Sequence, residues 1–313
     1  MQILNHAQTT AHLGFEQLVA ALDDMFVQGC QVPLRHAHTI EDGQGPAGTL
    51  LLMPAWQPGG RLGVKTVSIF PKNHEKQLPG LHSTYLLFDA TTGVPIAMLD
   101  GDVITSRRTA AASALAATRL SRPDAKTLLI VGSGRVAELL AHAYRSVRPI
   151  ETVMVWNVRT PSALRLVDRL REQGIDARHV TDLQAAVHAA DIVTCATLSD
   201  TPLIQGDWLQ PGTHLDLIGS FTPAMRETDA VCFERATVFV DTDEALAKSG
   251  DILQAIEANR FSHAALGATL TQLCRGEHPG RTRADEITLF KSVGTALEDL
   301  AAASLAWDAY QAG

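Results

Sequence analysis

Residues 132–137 of the chain read Gly-Ser-Gly-Arg-Val-Ala, a spacing that suits a loop wrapped around a diphosphate. The loop follows an apolar run, TLLIVG, and opens a segment with helical periodicity. Gly132 permits a tight turn, Gly134 lets the backbone approach a pyrophosphate, and Ala137 allows a helix to pack closely on a strand. The N–H groups at the start of that helix favour negative charge. We therefore expect a dinucleotide at the loop residues Gly132, Ser133, Gly134, Arg135 and Val136.

The next apolar run ends in WNVRT, at the position where a dinucleotide site holds the adenosine ribose. Sites that prefer NAD usually carry Asp or Glu there, and this segment has neither. Asn157, Arg159 and Thr160 can instead accept a 2'-phosphate, with Arg135 as a further candidate. The sequence thus favours NADPH, while NADH remains possible. The alternative is that Arg159 only caps a solvated loop.

A second group of cations lies in the first third of the chain, each within or beside an apolar stretch. It consists of Arg35, Lys65 and Arg108. A cation in apolar surroundings is costly unless an anion compensates it. A substrate carboxylate would serve, bound by the arginine forks and by Lys65 as a point charge. The alternative is pairing with the chain's own carboxylates, such as Asp100 or Asp102.

The histidines are weaker candidates for proton transfer or metal binding. His82 falls at the start of a predicted strand and, with Lys65, is a candidate proton donor, although a structural histidine is the other interpretation. His36 and His38 would share one face of a strand, but no third ligand has suitable spacing. We predict no metal site.

The pattern of apolar residues indicates two kinds of architecture along the chain. Residues 13–26 form an apolar helical stripe, and residues 48–100 contain short apolar runs cut by Gly and Pro, as in antiparallel strands. An Ala-rich helix follows and ends near Pro123. Strand and helix patterns then alternate, which predicts a parallel sheet with crossover helices. The apolar residues of 288–310 lie on one face of a predicted terminal helix.

Composition excludes several classes of protein. The chain has 313 residues, 46% of them hydrophobic, and a formal net charge of -8. That length favours two domains. The charge, without basic and aromatic residues interleaved, argues against nucleic acid as a partner. The start of the chain lacks a basic, apolar leader, and no apolar run is long enough for a membrane span. We expect a cytoplasmic enzyme without a membrane partner.

Six segments, in order and over nearly the whole chain, resemble the ornithine cyclodeaminase/mu-crystallin family, and within it the NADPH-dependent ketimine reductases. They are GDVITSRRTAAASALAA, IVGSGRVA, WNVRT, CATLSDTPLIQGDWLQPGTHLDLIGSFTPAMRETD, VFVDTDEALAKSGDI and LFKSVGTALEDLAAA. We therefore expect the fold class α/β, with a Rossmann-type NAD(P)-binding domain at residues 123–287. An α+β domain for substrate binding and dimerisation would comprise residues 1–122 with 288–313. The resemblance implies a homodimer.

The resemblance also implies roles for individual residues. Arg35, Lys65 and Arg108 would bind the carboxylate of an amino or imino acid beside the nicotinamide, where Arg108 would also reach the cofactor. Other positions would line the nucleotide: Thr197, Leu198, Ile218, Gly219 and Ser292. WNVRT is similar to the WNRT of NADPH-binding mu-crystallin, with one residue inserted.

One departure from the family concerns Phe221. Cyclodeaminases read Gly-Gly-Asp-Cys-Pro where residues 219–223 read Gly-Ser-Phe-Thr-Pro, so Phe221 matches their catalytic aspartate. A phenyl ring cannot accept a proton, but it suits a flat cyclic imine. We expect NADPH-dependent reduction of Δ1-pyrroline-2-carboxylate or Δ1-piperideine-2-carboxylate to L-proline or L-pipecolate. The alternatives are an ornithine cyclodeaminase, an alanine-dehydrogenase-like oxidoreductase, or a mu-crystallin-like protein that binds NADPH and a ligand without turnover.

Overall fold

The computed structural model of the chain describes residues 1–43 and 45–313, with His74 described by its backbone alone. It divides into two compact units. Unit 1 comprises Met1–Arg108 with Thr295–Gly313, and unit 2 comprises Thr109–Gly294. The boundary at Arg108 falls inside a continuous helix, so the predicted boundaries at 122 and 288 differ from this division. Pro123 marks the end of that helix and not the edge of a packed unit.

The first part of the chain holds the strands and helices β1 (Gln2–Leu4), α1 (His6–Ala11), α2 (Phe15–Gln28), β2 (His36–Glu41), β3 (Pro46–Trp56), β4 (Arg61–Ile69), β5 (Leu81–Asp89), β6 (Pro95–Asp100) and α3 (Gly101–Leu120). The remainder holds β7 (Thr127–Val131), α4 (Ala137–Arg145), β8 (Thr152–Trp156), α5 (Thr160–Glu172), β9 (Ala177–His179), α6 (Leu183–Ala189), β10 (Ile192–Cys195), β11 (His214–Leu217), α7 (Val231–Arg235), β12 (Thr237–Val240), α8 (Glu244–Lys248), α9 (Gly250–Glu257), β13 (Leu266–Thr269), α10 (Leu270–Cys274), β14 (Thr288–Lys291) and α11 (Ala296–Ala312).

Unit 1 is built on a six-stranded sheet with the order β1-β6-β5-β4-β3-β2. The pairs from β2 to β6 are antiparallel, as the sequence predicts, and β1 adds to β6 in parallel. Alternate residues of β4, namely Gly63, Lys65 and Val67, are buried. The C-terminal helix α11 packs on β3 and β4, and α2 packs against α11. Lys65 thus lies on the covered face of the sheet.

Unit 2 is built on an eight-stranded sheet with the order β13-β12-β14-β11-β10-β7-β8-β9. Every adjacent pair is parallel. An α-helix lies between each two successive strands except β10 and β11, which are joined by a segment with only a short 3-10 turn, Gly206–Trp208. The strand order reverses between β7 and β10, and ligands of such sheets bind at the carboxyl ends of the strands beside this switch point. The predicted fold class, α/β with a Rossmann-type unit and an α+β unit, is confirmed.

The end of the chain departs from its predicted helix over residues 288–310. Thr288–Lys291 is strand β14, fully buried between β11 and β12. A parallel strand that is covered on both faces is largely apolar. A short apolar segment of this kind can therefore also be taken for the apolar face of a helix. The helix itself starts at Ala296, where the side chain of Thr295 accepts a hydrogen bond from the N–H of Leu297. The predicted helix is wrong over its first turns.

Candidate active site

The glycine-rich loop follows β7 at the switch point of unit 2. The N–H of Ala196, directly after β10, donates to the carbonyl of Val131, so the two strand ends lie side by side. Gly132 has a φ of 120°, and a Cβ at this residue would lie 2.5 Å from the carbonyl oxygen of Ala196. Only glycine tolerates both conditions. The predicted tight turn is therefore present.

Gly134 stands in contrast, because a Cβ there would meet no atom of the described residues within 4 Å. Helix α4 begins three residues later, and among the described side chains none caps its first turn. Open space, glycine backbone and an uncapped helix start together fit an anion such as a diphosphate. The residues present thus fit a bound dinucleotide.

The residues predicted to contact the ribose lie at the end of β8. Asn157 donates from its amide Nδ2 to the Ser133 hydroxyl at 2.5 Å, which ties this strand end to the glycine loop. Arg159 and Thr160 are exposed at the start of α5. The cation and hydroxyl that were predicted to meet a 2'-phosphate are therefore accessible.

Glu227 was not singled out from the sequence, yet its buried carboxylate joins two loops at the carboxyl ends of the strands. Its Oε1 accepts from the N–H and the hydroxyl of Thr197, both at 2.8 Å, and its Oε2 accepts from the N–H of Gly219 at 2.7 Å. Burial raises the pKa of Glu227 to about 7, although the three donors favour the anion. The loops after β10 and β11 are thereby held together.

A second buried carboxylate supports Glu227 in turn. Asp251 Oδ1 accepts from the N–H groups of Glu227 and Thr228, at 2.8 and 3.0 Å. Lys291, at the end of β14, is fully buried, donates from Nζ to the carbonyl of Leu217 at 3.1 Å, and lies 4.0 Å from Asp251 Oδ2. The carboxyl edge of the sheet is thus fixed by buried ionic groups, which are costly to remove one at a time.

The other predicted residues of unit 2 lie on this same edge. Ile218 and Ser292, which continue β11 and β14, are nearly buried. Leu198 and Phe221 are 74% and 46% exposed, respectively, and follow the loop residues that Glu227 holds. Their roles at the nicotinamide and the imine stay predictions.

Unit 1 brings two of the predicted cations together. Lys65 Nζ lies 2.6 Å from Asp299 Oδ2, and Arg108 binds Asp299 Oδ1 through Nε at 2.9 Å and Glu298 Oε2 through Nη1 at 2.6 Å. All four side chains are buried. The alternative that internal carboxylates compensate these cations is confirmed, but the carboxylates are Asp299 and Glu298 instead of Asp100 and Asp102. Two positive and two negative charges now balance without a substrate.

Asp100 and Asp102 have other partners. Asp100 accepts from the N–H of Val103 at 2.9 Å, and Asp102 accepts from the Ser83 hydroxyl at 2.7 Å. The anions that compensate Lys65 lie instead at the N-terminal turn of α11, where the helix dipole stabilises carboxylates. Neither carboxylate was singled out from the sequence, although the acidic pair at the start of an apolar helical segment, LEDLAAA, is a signal that could have indicated them.

Burial and pairing set the protonation of this cluster. Burial lowers the pKa of Lys65 to about 8, and Asp299 opposes that effect. The pKa of Asp299 falls below its usual value: burial alone would raise it, but Lys65 and Arg108 outweigh that effect. Beside them, Tyr85 pairs with Lys65 across β4 and β5, and its buried hydroxyl has no hydrogen-bond partner among the described residues. The cluster therefore holds an ammonium that can lose its proton near neutral pH.

Arg35 and His82 lie apart from this cluster. Arg35 immediately precedes β2, is half-buried, and lies two strands from β4, which corresponds to about 10 Å in a sheet. His82 pairs with Ser68, three residues beyond Lys65, so its side chain lies on the opposite face of the sheet and is exposed. This placement argues against His82 as a proton donor that acts together with Lys65.

His36 and His38 are exposed on one face of β2, with ring centroids 6.4 Å apart. No group of three or more His, Cys, Asp or Glu residues in the described ranges is arranged to hold a metal ion. Nor does any helix within those ranges combine the length and apolar character required to cross a membrane.

The parallel sheet and its glycine loop define unit 2 as a dinucleotide-binding domain of the Rossmann type. The chain as a whole belongs to the ornithine cyclodeaminase/mu-crystallin family, whose model matches residues 3–313. This confirms the resemblance seen in the sequence.

Three relatives show how this similarity is distributed. An uncharacterized protein of Schizosaccharomyces pombe is 48% identical over 98% of this chain and 96% of its own length. A Δ1-pyrroline-2-carboxylate reductase of Paracoccus denitrificans is 39% identical over 97% of this chain and 95% of its own. The solved structure of Thermococcus litoralis Δ1-pyrroline-2-carboxylate reductase, in complex with NADH and L-proline, superposes with a TM-score of 0.92. It is 31% identical and covers 100% of this chain and 98% of its own.

Proposed function

We propose that the protein reduces a cyclic ketimine carboxylate with a reduced nicotinamide cofactor. The substrate would be Δ1-pyrroline-2-carboxylate, Δ1-piperideine-2-carboxylate or both, and the product L-proline or L-pipecolate. One observation carries the proposal: Lys65 is a buried ammonium held 2.6 Å from Asp299, with a pKa of about 8. Such a group can give a proton to an imine nitrogen near neutral pH. The reductases of Paracoccus and Thermococcus support the choice of substrate.

When bound, a reduced nicotinamide would supply the hydride that C2 of the imine gains. Lys65 supplies the proton that the ring nitrogen gains, so that C=N becomes CH–NH. Asp299 orients the ammonium of Lys65 and the guanidinium of Arg108. Because the charges of this cluster already balance, Arg35 would contribute the additional positive charge for the substrate carboxylate.

Phe221 would supply an apolar surface for the imine ring. It is half-exposed on the loop after β11, where its backbone N–H donates to the carbonyl of Gly219 at 3.0 Å. A cyclodeaminase would need a carboxylate there to handle a charged amine, and a phenyl ring offers none. The residue therefore favours imine reduction over ornithine cyclisation.

NADPH is the proposed cofactor. Arg159 is exposed shortly after β8, together with Thr160 and the partly buried Asn157, and no acidic residue occupies this segment. A guanidinium binds a 2'-phosphate through charge-assisted hydrogen bonds. The same position would offer little to the free hydroxyl of NADH.

Self-association as a homodimer is also part of the proposal. The face of the unit 1 sheet opposite Lys65 carries a row of apolar side chains in register across β3 to β6. They are Pro54, Val64, Leu86 and Met98, all half-buried. An apolar sheet face of this kind favours burial against another surface. Val64→Lys should shift the molar mass measured by light scattering from dimer to monomer, and an unchanged mass would reject this face as the interface.

The decisive experiment follows the oxidation of NADPH by its absorbance, with each cyclic imine and with pyruvate plus ammonia. A separate reaction with L-ornithine and NAD is assayed for released ammonia. Rapid oxidation with a cyclic imine is expected for the wild type, and a loss of at least about a hundredfold for Lys65→Met. Lys126→Met is the matched control, because Lys126 is an exposed lysine paired with Glu151 in unit 2. Ammonia released from ornithine would instead revive the cyclodeaminase alternative, and NADPH binding without turnover would favour a ligand-binding protein.

A further inference from the structure

The loops after β10 and β11 approach each other more closely than side chains would allow. A Cβ on Gly219 would lie 1.9 Å from the carbonyl oxygen of Thr197 and 2.5 Å from Glu227 Oε1. The space between the loops is therefore filled by backbone and by the Glu227 carboxylate. A change at Glu227 must move at least one of the two loops.

Glu227 is suited to this position by its charge as well as its size. All three groups that contact its carboxylate are donors: two N–H groups and one hydroxyl. An ionised carboxylate only accepts hydrogen bonds, whereas an amide must place an NH₂ on one side. In Glu227→Gln that NH₂ would face the N–H of either Gly219 or Thr197. The amide thus keeps the volume of the side chain but loses the hydrogen bonds to one of the two loops.

The backbone of Glu227 is fixed as firmly as its side chain. Its carbonyl accepts from the N–H groups of Leu203 and Ile204, at 2.8 and 3.1 Å. Its own N–H donates to Asp251. These backbone hydrogen bonds hold Glu227 in place, so its carboxylate cannot follow a loop that moves away.

The two loops that Glu227 contacts carry two of the exposed large apolar side chains of unit 2. Leu198 directly follows Thr197, and Phe221 lies two residues after Gly219. Both residues are at the carboxyl edge of the sheet, next to the switch point where the dinucleotide is expected. Single exposed apolar residues are ordinary, but here each is attached to a loop whose position Glu227 determines.

We propose that Glu227 is a positioning residue for the nicotinamide half of the cofactor. It holds the loops of Thr197 and Gly219 so that Leu198 and Phe221 form the apolar walls of that half-site. The adenosine half is held by other loops, those after β7 and β8. This inference rests on the proposed function, because it assumes that a nicotinamide dinucleotide is the ligand.

The test compares Glu227→Gln with Glu286→Gln. Glu286 is also a nearly buried carboxylate that accepts from a backbone N–H and from hydroxyls, those of Thr282 and Thr237. It precedes β14 and so lies at the opposite edge of the sheet. Two ligands are titrated by calorimetry: NADPH, and adenosine 2',5'-bisphosphate, which lacks the nicotinamide half.

Glu227→Gln should weaken NADPH about tenfold, the effect of one lost charge-assisted hydrogen bond, and change the bisphosphate less than about twofold. Glu286→Gln should leave both affinities unchanged. Equal losses for both ligands in Glu227→Gln, or none for NADPH, would overturn the proposal.

If Glu227→Gln does not fold, Thr197→Val removes the hydroxyl that donates to Glu227 and accepts a longer hydrogen bond, 3.3 Å, from the N–H of Ser199. It should show the same selective loss at a smaller size. Failure of wild-type protein to bind either nucleotide would refute the proposed function itself, and the positioning role with it. Wild-type binding combined with an unchanged Glu227→Gln would refute only the role of Glu227.

Discussion

Replacing Asp299 by Asn removes the negative charge nearest to Lys65 without changing the size of the side chain. In the wild type, burial holds the pKa of Lys65 at about 8 even though Asp299 favours the charged ammonium. A close opposite charge typically shifts a pKa by about 1–3 units, or about 1.4–4 kcal/mol. The pKa of Lys65 should therefore fall to roughly 5–7 in Asp299→Asn.

The sign of the effect on activity follows from the role of Lys65 as a proton donor. Only the protonated ammonium is active, so kcat/KM falls as the pH rises through the pKa of Lys65. This decline, the alkaline limb of the pH profile, should lie near pH 8 in the wild type. In Asp299→Asn it should lie about 1–3 pH units lower. The assay is kcat/KM for one cyclic imine and NADPH across the neutral and alkaline range. The same imine is used throughout, so its own titration cancels.

Two variants make the measurement specific. Asp308→Asn removes an exposed carboxylate of the same helix, one that binds Arg61 at 2.7 Å, and should leave the limb in place. Asp299→Glu keeps the charge and should return the limb towards the wild-type pH. Asp299→Asn also leaves a buried cation without its partner, at a cost of about 3–5 kcal/mol of stability, so folding is checked by circular dichroism. An alkaline limb at the same pH in the wild type and Asp299→Asn would refute the role of this ion pair.

Other changes test the cofactor loops and the substrate surface. Arg159→Ala should weaken NADPH about tenfold and leave NADH nearly unchanged; an unaltered ratio of the two dissociation constants, measured by nucleotide fluorescence, would reject the 2'-phosphate contact. Gly219→Ala should lower the melting temperature and abolish NADPH binding, because its Cβ would lie 1.9 Å from the Thr197 carbonyl; full binding would show that the loops adapt. Phe221→Asp should slow imine reduction at least tenfold, roughly, by placing a charge against an apolar ring, and retained kcat/KM would contradict that contact.

The sequence was most informative where local patterns determine local structure. The strand, glycine loop and helix around Gly132 could be predicted because their spacing is set by one turn. The apolar stripe Leu18, Val19, Leu22, Met25 and Phe26 is buried in α2 as its periodicity indicates. Neither case depends on residues far away in the chain.

The partners of the buried charges could not be predicted in the same way. Lys65 and Asp299 are separated by most of the chain, and their contact depends on α11 packing over β4. Glu227 depends on two loops that approach each other through Gly219. A sequence pattern shows that a buried cation needs an anion, but not which of the available carboxylates reaches it.

The order in which the two units are completed during synthesis follows from the division of unit 1. Its sheet and first helices are made first, yet α11, which carries Glu298 and Asp299, emerges only after the whole of unit 2. Until then Lys65 and Arg108 lack the carboxylates that neutralise them, and their burial is strongly opposed. Unit 1 should therefore remain open on the ribosome while unit 2 folds. A chain interrupted before Thr295 would expose an unfinished sheet and be a ready target for chaperones and proteases.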